Sequence, residues 1–224
     1  MSIRETIEAA CLQDIGGRRE QQDRVAVLWD DVACLAVLAD GLGGHIAGAF
    51  AAQTAIDAAR EAFDTSPQPE TAELLETIVT NAHARIHAAA ENDLYPGTTC
   101  VLLHATARRA TWTHLGDSRL YRFQNGRFVD RTTDHSYPEG GMYACLGAGR
   151  ELPSIEVRSA HISQSDGFLL CSDGLWESVE SLQLEAVFAA QDLPGALREL
   201  VDFARSRGSS FQDNISAAAV RLAR

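Results

Sequence analysis

The sequence predicts an α+β fold in which mainly antiparallel sheets pack together and helices cover the outside. Two observations carry this reading. Runs such as Ala33-Cys34-Leu35-Ala36-Val37-Leu38 are apolar at every position rather than at alternate ones, the pattern of strands covered on both faces. The order of elements is strands, two helices, a run of strands, two helices and a last strand. That order does not alternate one for one, which disfavours a doubly wound parallel sheet.

Each element has a local reason. Val25–Leu28, Ala33–Leu38, Thr99–Ala105, Thr111–Leu115, Leu120–Phe123, Gly167–Cys171 and Ile215–Leu222 are short, β-branched or apolar, and bounded by turn residues. Ala49, Ala52, Ile56, Ala59 and Phe63 recur at helical spacing, as do Leu75, Val79, Ala82, Ile86 and Ala89, so amphipathic helices are expected side by side. The stretch Ser66–Pro69 reads as their connection. Further helices are predicted over Leu182–Ala190 and from Pro194, suited to a first helical position, to Gly208.

The 224 residues, 46% hydrophobic, suffice for a sizeable core and are read as one domain over 1–224. A net charge of −12 works against a nucleic-acid or anionic-membrane surface, which would need a basic stripe. No apolar run approaches membrane-spanning length, and Arg4, Glu5 and Glu8 interrupt any signal-peptide core, so a cytoplasmic location is expected. Cys11, Cys34, Cys100, Cys145 and Cys171 form no C-x-x-C pair, lie mostly in apolar runs, and read as small core hydrophobes.

The chemistry gathers at strand ends. Asp40 follows a buried strand and opens the glycine-dense Asp40-Gly41-Leu42-Gly43-Gly44-His45, leading into a helix. Asp173 follows another strand in Ser172-Asp173-Gly174-Leu175-Trp176, and Asp213-Asn214 precedes the last. Any one Asp-Gly reads as a simple turn. Together these carboxylates form an oxygen-only donor set that suits a hard cation, Mg²⁺ or Mn²⁺. His83 and His87, at i and i+4, lack a third ligand and read as helix-surface residues; His104, His114 and His161 stand singly, and Trp176 and Phe168 read as core.

The ordered segments resemble those of the PPM (type 2C) phosphatases over almost the whole chain. Gly17-Arg18-Arg19-Glu20-Gln21-Gln22-Asp23 is similar to the family's opening motif, Asp40 to His45 to its D-G-M-G-G-H, and Gly97-Thr98-Thr99 to its G-[ST]-T. Gly116-Asp117-Ser118-Arg119, Thr133-Asp134-His135-Ser136, Ser172 to Trp176 and Asp213-Asn214 match the later segments. The resemblance implies an α-β-β-α four-layer sandwich and a metal-dependent serine/threonine protein phosphatase, a monomer opposing a serine/threonine kinase. It implies two Mn²⁺ or Mg²⁺ ions on Asp40, the Gly41 carbonyl, Asp173 and Asp213, activating water for in-line attack. It assigns the substrate phosphate to Arg18, by register counted back from Asp23, and the orientation of metal-bound water to Asp23. Asp117 is the position for a third ion and reads equally as a β-turn aspartate.

The chain departs from that pattern in three places. Gln22 stands where many members have Glu, which removes one negative charge and predicts weaker metal binding. His135 reaches Leu146-Gly147 through only Ser136 to Cys145, so the usual helical flap is expected to be a loop and the cleft more open. Leu42 replaces the eukaryotic general-acid His, leaving His45 or metal-bound water as proton donor, with water favoured because His45 begins a helix. The competing readings are a catalytically dead phosphoprotein-binding domain and a hydrolase of a small phosphorylated metabolite.

Overall fold

A computed structural model describes residues 3–42, 45–65, 71–90, 96–149 and 151–223, with only the backbone of 45 and 46. The elements in chain order are α1 (Ile3–Thr6), β1 (Ile7–Asp14), β2 (Arg24–Trp29), β3 (Ala33–Ala39), β4 (Gly41–Leu42), α2 (His45–Thr65), α3 (Thr71–Ala88), β5 (Gly97–Thr98), β6 (Cys100–Thr106), β7 (Arg109–Leu115), β8 (Arg119–Gln124), β9 (Arg127–Arg131), β10 (Arg158–His161), β11 (Gly167–Cys171), α4 (Asp173–Trp176), α5 (Ser181–Ala189), α6 (Leu193–Arg207) and β12 (Ile215–Leu222). The predicted connection over Ser66–Pro69 lies outside the described residues.

Two five-stranded sheets run in the orders β1-β12-β11-β8-β9 and β10-β7-β6-β3-β2, and the described ladders pair antiparallel. Because strand side chains alternate faces, β3 is split between two cores. Leu35, Val37 and Ala39 pack under α2 and α3 with Leu75, Ile78 and Ile86. Cys34, Ala36 and Leu38 point into the space between the sheets, where they meet Phe168, Leu170, Ala218 and Val220. In β12 the alternation is mirrored: Ile215, Ala217 and Ala219 face Leu184, Leu197 and Val201 of α5 and α6. The layers are therefore helix, sheet, sheet, helix, and the all-apolar runs are the inner strands of each sheet.

Apart from the two-residue strands β4 and β5, which pair with each other, the strands with no clear sequence signal, β1, β9 and β10, all lie at sheet edges. Their polar composition follows from that place: β9, RFVDR, is mostly exposed, and an edge rich in charge resists pairing with other chains. Helix α6 begins where expected, with the Asp192 side chain accepting from the Gly195 N–H and Pro194 in the first turn. Four cysteines are buried as expected, whereas Cys11 is exposed on edge strand β1.

Candidate metal centre

The sheet pairing sends the C-terminal ends of β3 and β11 and the N-terminal end of β12 to one margin of the sandwich. Asp40 follows β3 directly, and the neighbouring strand holds its backbone. The Asp40 N–H donates to Thr99 Oγ1 at 2.9 Å, and its carbonyl accepts from the Thr99 N–H and from Thr98 Oγ1, each at 2.9 Å. Thr99 Oγ1 also lies 2.8 Å from Ser118 Oγ, so the Gly97-Thr98-Thr99 and Gly116-Asp117-Ser118-Arg119 segments brace the same aspartate. Gly41 must lack a side chain: a methyl there would fall 2.3 Å from the Gly48 carbonyl oxygen of α2.

On the facing sheet, the Ser216 N–H donates to Ser172 Oγ at 3.0 Å, closing the end of β11 onto β12 just before Asp173. Asn214 is a structural anchor that motif reading left without a role. Its side chain accepts from the Gln22 N–H at 2.8 Å and donates to the Ile15 and Glu20 carbonyls at 2.8 and 3.0 Å. That one amide therefore gathers the 15–22 loop over the Asp213 strand end. Within the loop, Arg18 Nη2 lies 2.5 Å from Asp213 Oδ2, whereas Arg19 is exposed and makes no ion pair among the described residues.

The electrostatics bind these aspartates into one group. Burial, then the charges of Asp23, Asp173, Asp213 and Asp117, hold the Asp40 carboxyl well above the ordinary range. Burial and the charges of Asp213, Asp117 and Asp23 push Asp173 up to about 7. Burial raises Asp23 to about 6, against hydrogen bonding from Ser216, Ser172 and Asp40. Asp23 Oδ2 and Asp173 Oδ1 are buried with no hydrogen-bond partner among the described residues. Carboxylates crowded out of water, repelling one another and leaving lone pairs unmet are the converse of a stable packing motif, and a divalent cation removes all three penalties. Among the described residues no three His, Cys, Asp or Glu side chains form a compact ligand group.

Asp117 occupies the β7–β8 turn, and its charge also reaches Asp40 and Asp173. Its carbonyl accepts from Trp176 Nε1 at 3.0 Å. The Trp176 ring lies 3.4 Å beneath the Arg119 guanidinium, which grips both oxygens of Asp134 at 2.8 and 2.7 Å. Trp176 is thus half-buried support for the site rather than plain core. The His45 side chain lies outside the described residues. His83 is not a surface residue: it is buried and its Nδ1 accepts from the Gly147 N–H at 3.2 Å. Nor is His114 alone, since it stacks on His135 at 4.4 Å, and His135 Nδ1 accepts from the Gly116 N–H. The segment expected to lack a flap is a tight loop tied back on itself, with Ser136 bridged to Met142 and the Tyr143 N–H donating to the His135 carbonyl.

A family model described as protein phosphatase 2C matches residues 15–216, most of the chain. The chain belongs to the protein phosphatase 2C family. Among relatives, it is 28% identical over 208 residues to the serine/threonine protein phosphatase PstP of Mycobacterium tuberculosis, with 82% of this chain and 39% of that protein aligned. It therefore spans less than half the length of PstP. It is 28% identical over 249 residues to the protein phosphatase PhpP of Streptococcus pneumoniae, with 96% of this chain and 98% of that one covered. The solved catalytic domain of PstP in complex with two manganese ions superposes with a TM-score of 0.82 at 26% identity, covering 98% of this chain and 99% of that one. The sandwich of this type 2C chain is thus the family fold. Among its described residues no helix is long and apolar enough to cross a membrane.

Proposed function

We propose that the chain is a metal-dependent serine/threonine protein phosphatase that hydrolyses phosphoserine and phosphothreonine esters on proteins. The observation that carries this reading is the single electrostatic group of Asp23, Asp40, Asp173 and Asp213 beside Arg18, on the fold of an enzyme solved with two manganese ions. Asp40, Asp173, Asp213 and the Gly41 carbonyl are assigned to Mn²⁺ or Mg²⁺. The chemistry such a pair supplies when bound is deprotonation of water near neutral pH, giving the nucleophile for in-line attack on phosphorus.

The chain's own residues supply the rest. Arg18 presents a planar fork for two phosphoryl oxygens, and its present partner Asp213 aims it across the site. Asp23, 1% exposed with its charge coupled to Asp40, is assigned the orientation of ordered water as a hydrogen-bond acceptor. Asp117 is assigned to a third, weaker ion. Leu42 cannot donate, and the proton for a serine leaving group is assigned to water rather than to His45 because His45 begins helix α2. The substrate is read as a phosphoprotein because the shortened 136–145 loop leaves the cleft open, and the enzyme is placed as a cytoplasmic monomer of one domain opposing a kinase.

The test is a panel of phosphopeptides and small phosphorylated metabolites with Mn²⁺ present or chelated. Manganese-dependent turnover concentrated on phosphoserine and phosphothreonine peptides is expected. Turnover confined to metabolites, or peptide binding without hydrolysis, would overturn it. His45→Ala should leave phosphoserine peptide and p-nitrophenyl phosphate rates equally affected; a loss confined to the peptide would transfer the proton to His45.

A further inference from the structure

Phe211 is 85% exposed, more than any other large hydrophobic residue among those described. Its place in the chain is as unusual as its exposure. It lies two residues before Asp213, on a loop that continues the β1–β12 pairing past its last partners, Asp14 and Ile215. Beyond them the Gly17 N–H donates to the Gln212 carbonyl at 2.8 Å, and a methyl on Gly17 would fall 2.4 Å from the Ser210 carbonyl oxygen. The segments carrying Arg18 and Phe211 therefore run against each other in close backbone contact.

The loop is also held firmly. Gln212 is buried and its Nε2 donates to the Ala204 carbonyl at 3.0 Å and the Gly174 carbonyl at 3.2 Å, while the Phe211 N–H donates to Ser209 Oγ at 3.1 Å. An aromatic ring turned to solvent from a backbone held on both sides is prepared for contact at small entropic cost. Ile15, 44% exposed at the start of the Arg18 loop, adds a second apolar side chain on the same rim.

We propose that Phe211 is a specificity-determining residue, packing against an apolar side chain that flanks the phosphoresidue of the protein substrate. The inference rests on the phosphatase reading and names a feature of its substrate. The occupant follows from continuity: a peptide whose phosphate is gripped by Arg18 lays the residues on one side of that phosphate over the adjoining 209–213 loop, which meets the Arg18 loop at Gly17. An apolar rim selects an apolar neighbour, and a small aryl phosphate does not reach it.

The experiment compares wild type, Phe211→Ala and Phe211→Leu in saturating Mn²⁺. Substrates are p-nitrophenyl phosphate and phosphoserine peptides that differ only in carrying leucine or glycine at each position flanking the phosphoserine. Wild type is expected to favour one leucine peptide. Phe211→Ala should raise KM for that peptide about tenfold with kcat nearly unchanged, Phe211→Leu should recover most of the loss, and p-nitrophenyl phosphate should be untouched. Equal KM values for Phe211→Ala and wild type on every peptide would overturn the inference alone, as would a matching loss on p-nitrophenyl phosphate, which would make the ring structural. Wild-type turnover of p-nitrophenyl phosphate with none of any phosphopeptide would overturn the phosphatase reading and this inference together.

Discussion

Arg18 Nη2 meets Asp213 Oδ2 at 2.5 Å, joining the residue assigned to substrate phosphate to one assigned to metal. The remaining oxygen, Oδ1, accepts from the Asn214 N–H at 2.8 Å, so the carboxylate is oriented from both sides. Both partners are partly exposed, and as a stability element the pair is worth little. Its value is geometric: it fixes the guanidinium against Asp213, the position from which the proposed phosphate contact would be made.

Replacing Arg18 by Ala should lower kcat/KM for phosphopeptides about 10- to 100-fold, the cost of a lost charge-assisted contact. Arg18→Lys should recover only part, because an ammonium cannot grip two oxygens at once. Arg19→Ala should stay within about twofold, since surface changes without partners cost little. Steady-state kinetics on the three variants checks the order; a larger loss for Arg19→Ala would move the phosphate contact one residue along.

How far the sequence revealed this depends on range. Strand β3 was legible because seven consecutive buried residues leave no polar position, whereas edge strands β1, β9 and β10 carry polar faces that resemble loops. The aspartates were legible because each sits beside its own strand end in a recognisable segment. The Asn214 bonds to Ile15, Glu20 and Gln22 span about the whole chain, and no local pattern encodes them. His83 was within reach: it follows Val79 by one helical turn and so belongs to the buried stripe of α3.

Asp40→Asn, Asp173→Asn and Asp213→Asn each keep volume and remove a charged donor. Each should reduce Mn²⁺-dependent kcat by more than the roughly 100-fold typical of residues one shell away from a metal, with the circular dichroism spectrum unchanged. Wild-type turnover for any of them in excess Mn²⁺ would remove that residue from the ligand set.

In chelator, Asp173→Asn should be more stable than wild type, and the gain should depend on pH. The Asp173 carboxyl moves from 3.8 to about 7 on folding, so its ionised form opposes the fold. The penalty is absent below the unfolded value, grows as pH rises between the two, and is complete above the folded one. The Tm difference in favour of Asp173→Asn should therefore be largest near pH 8 and shrink towards about pH 5. Added Mn²⁺ should raise the wild-type Tm and leave the variant nearly unmoved. A Tm difference that is flat with pH would show that Asp173 is not desolvated.

The Arg119–Trp176 stack can be separated from the hydrogen bond that Trp176 makes to the Asp117 turn. Trp176→Phe keeps a ring under the guanidinium and loses the Nε1 donor to the Asp117 carbonyl, at a cost of about 1 kcal/mol. Arg119→Lys keeps the charge but gives up the two-point grip on Asp134 and the planar stacking face, so it should cost more, about 2–3 kcal/mol. The two variants should also differ at the metal. Freed from Trp176, the Asp117 turn loses its tether to α4, and the Mn²⁺ concentration needed for half-maximal activity should rise a few-fold in Trp176→Phe. Denaturant unfolding and manganese titration of both variants check the pair; unchanged manganese dependence in Trp176→Phe would detach Asp117 from the metal group and leave it a turn residue.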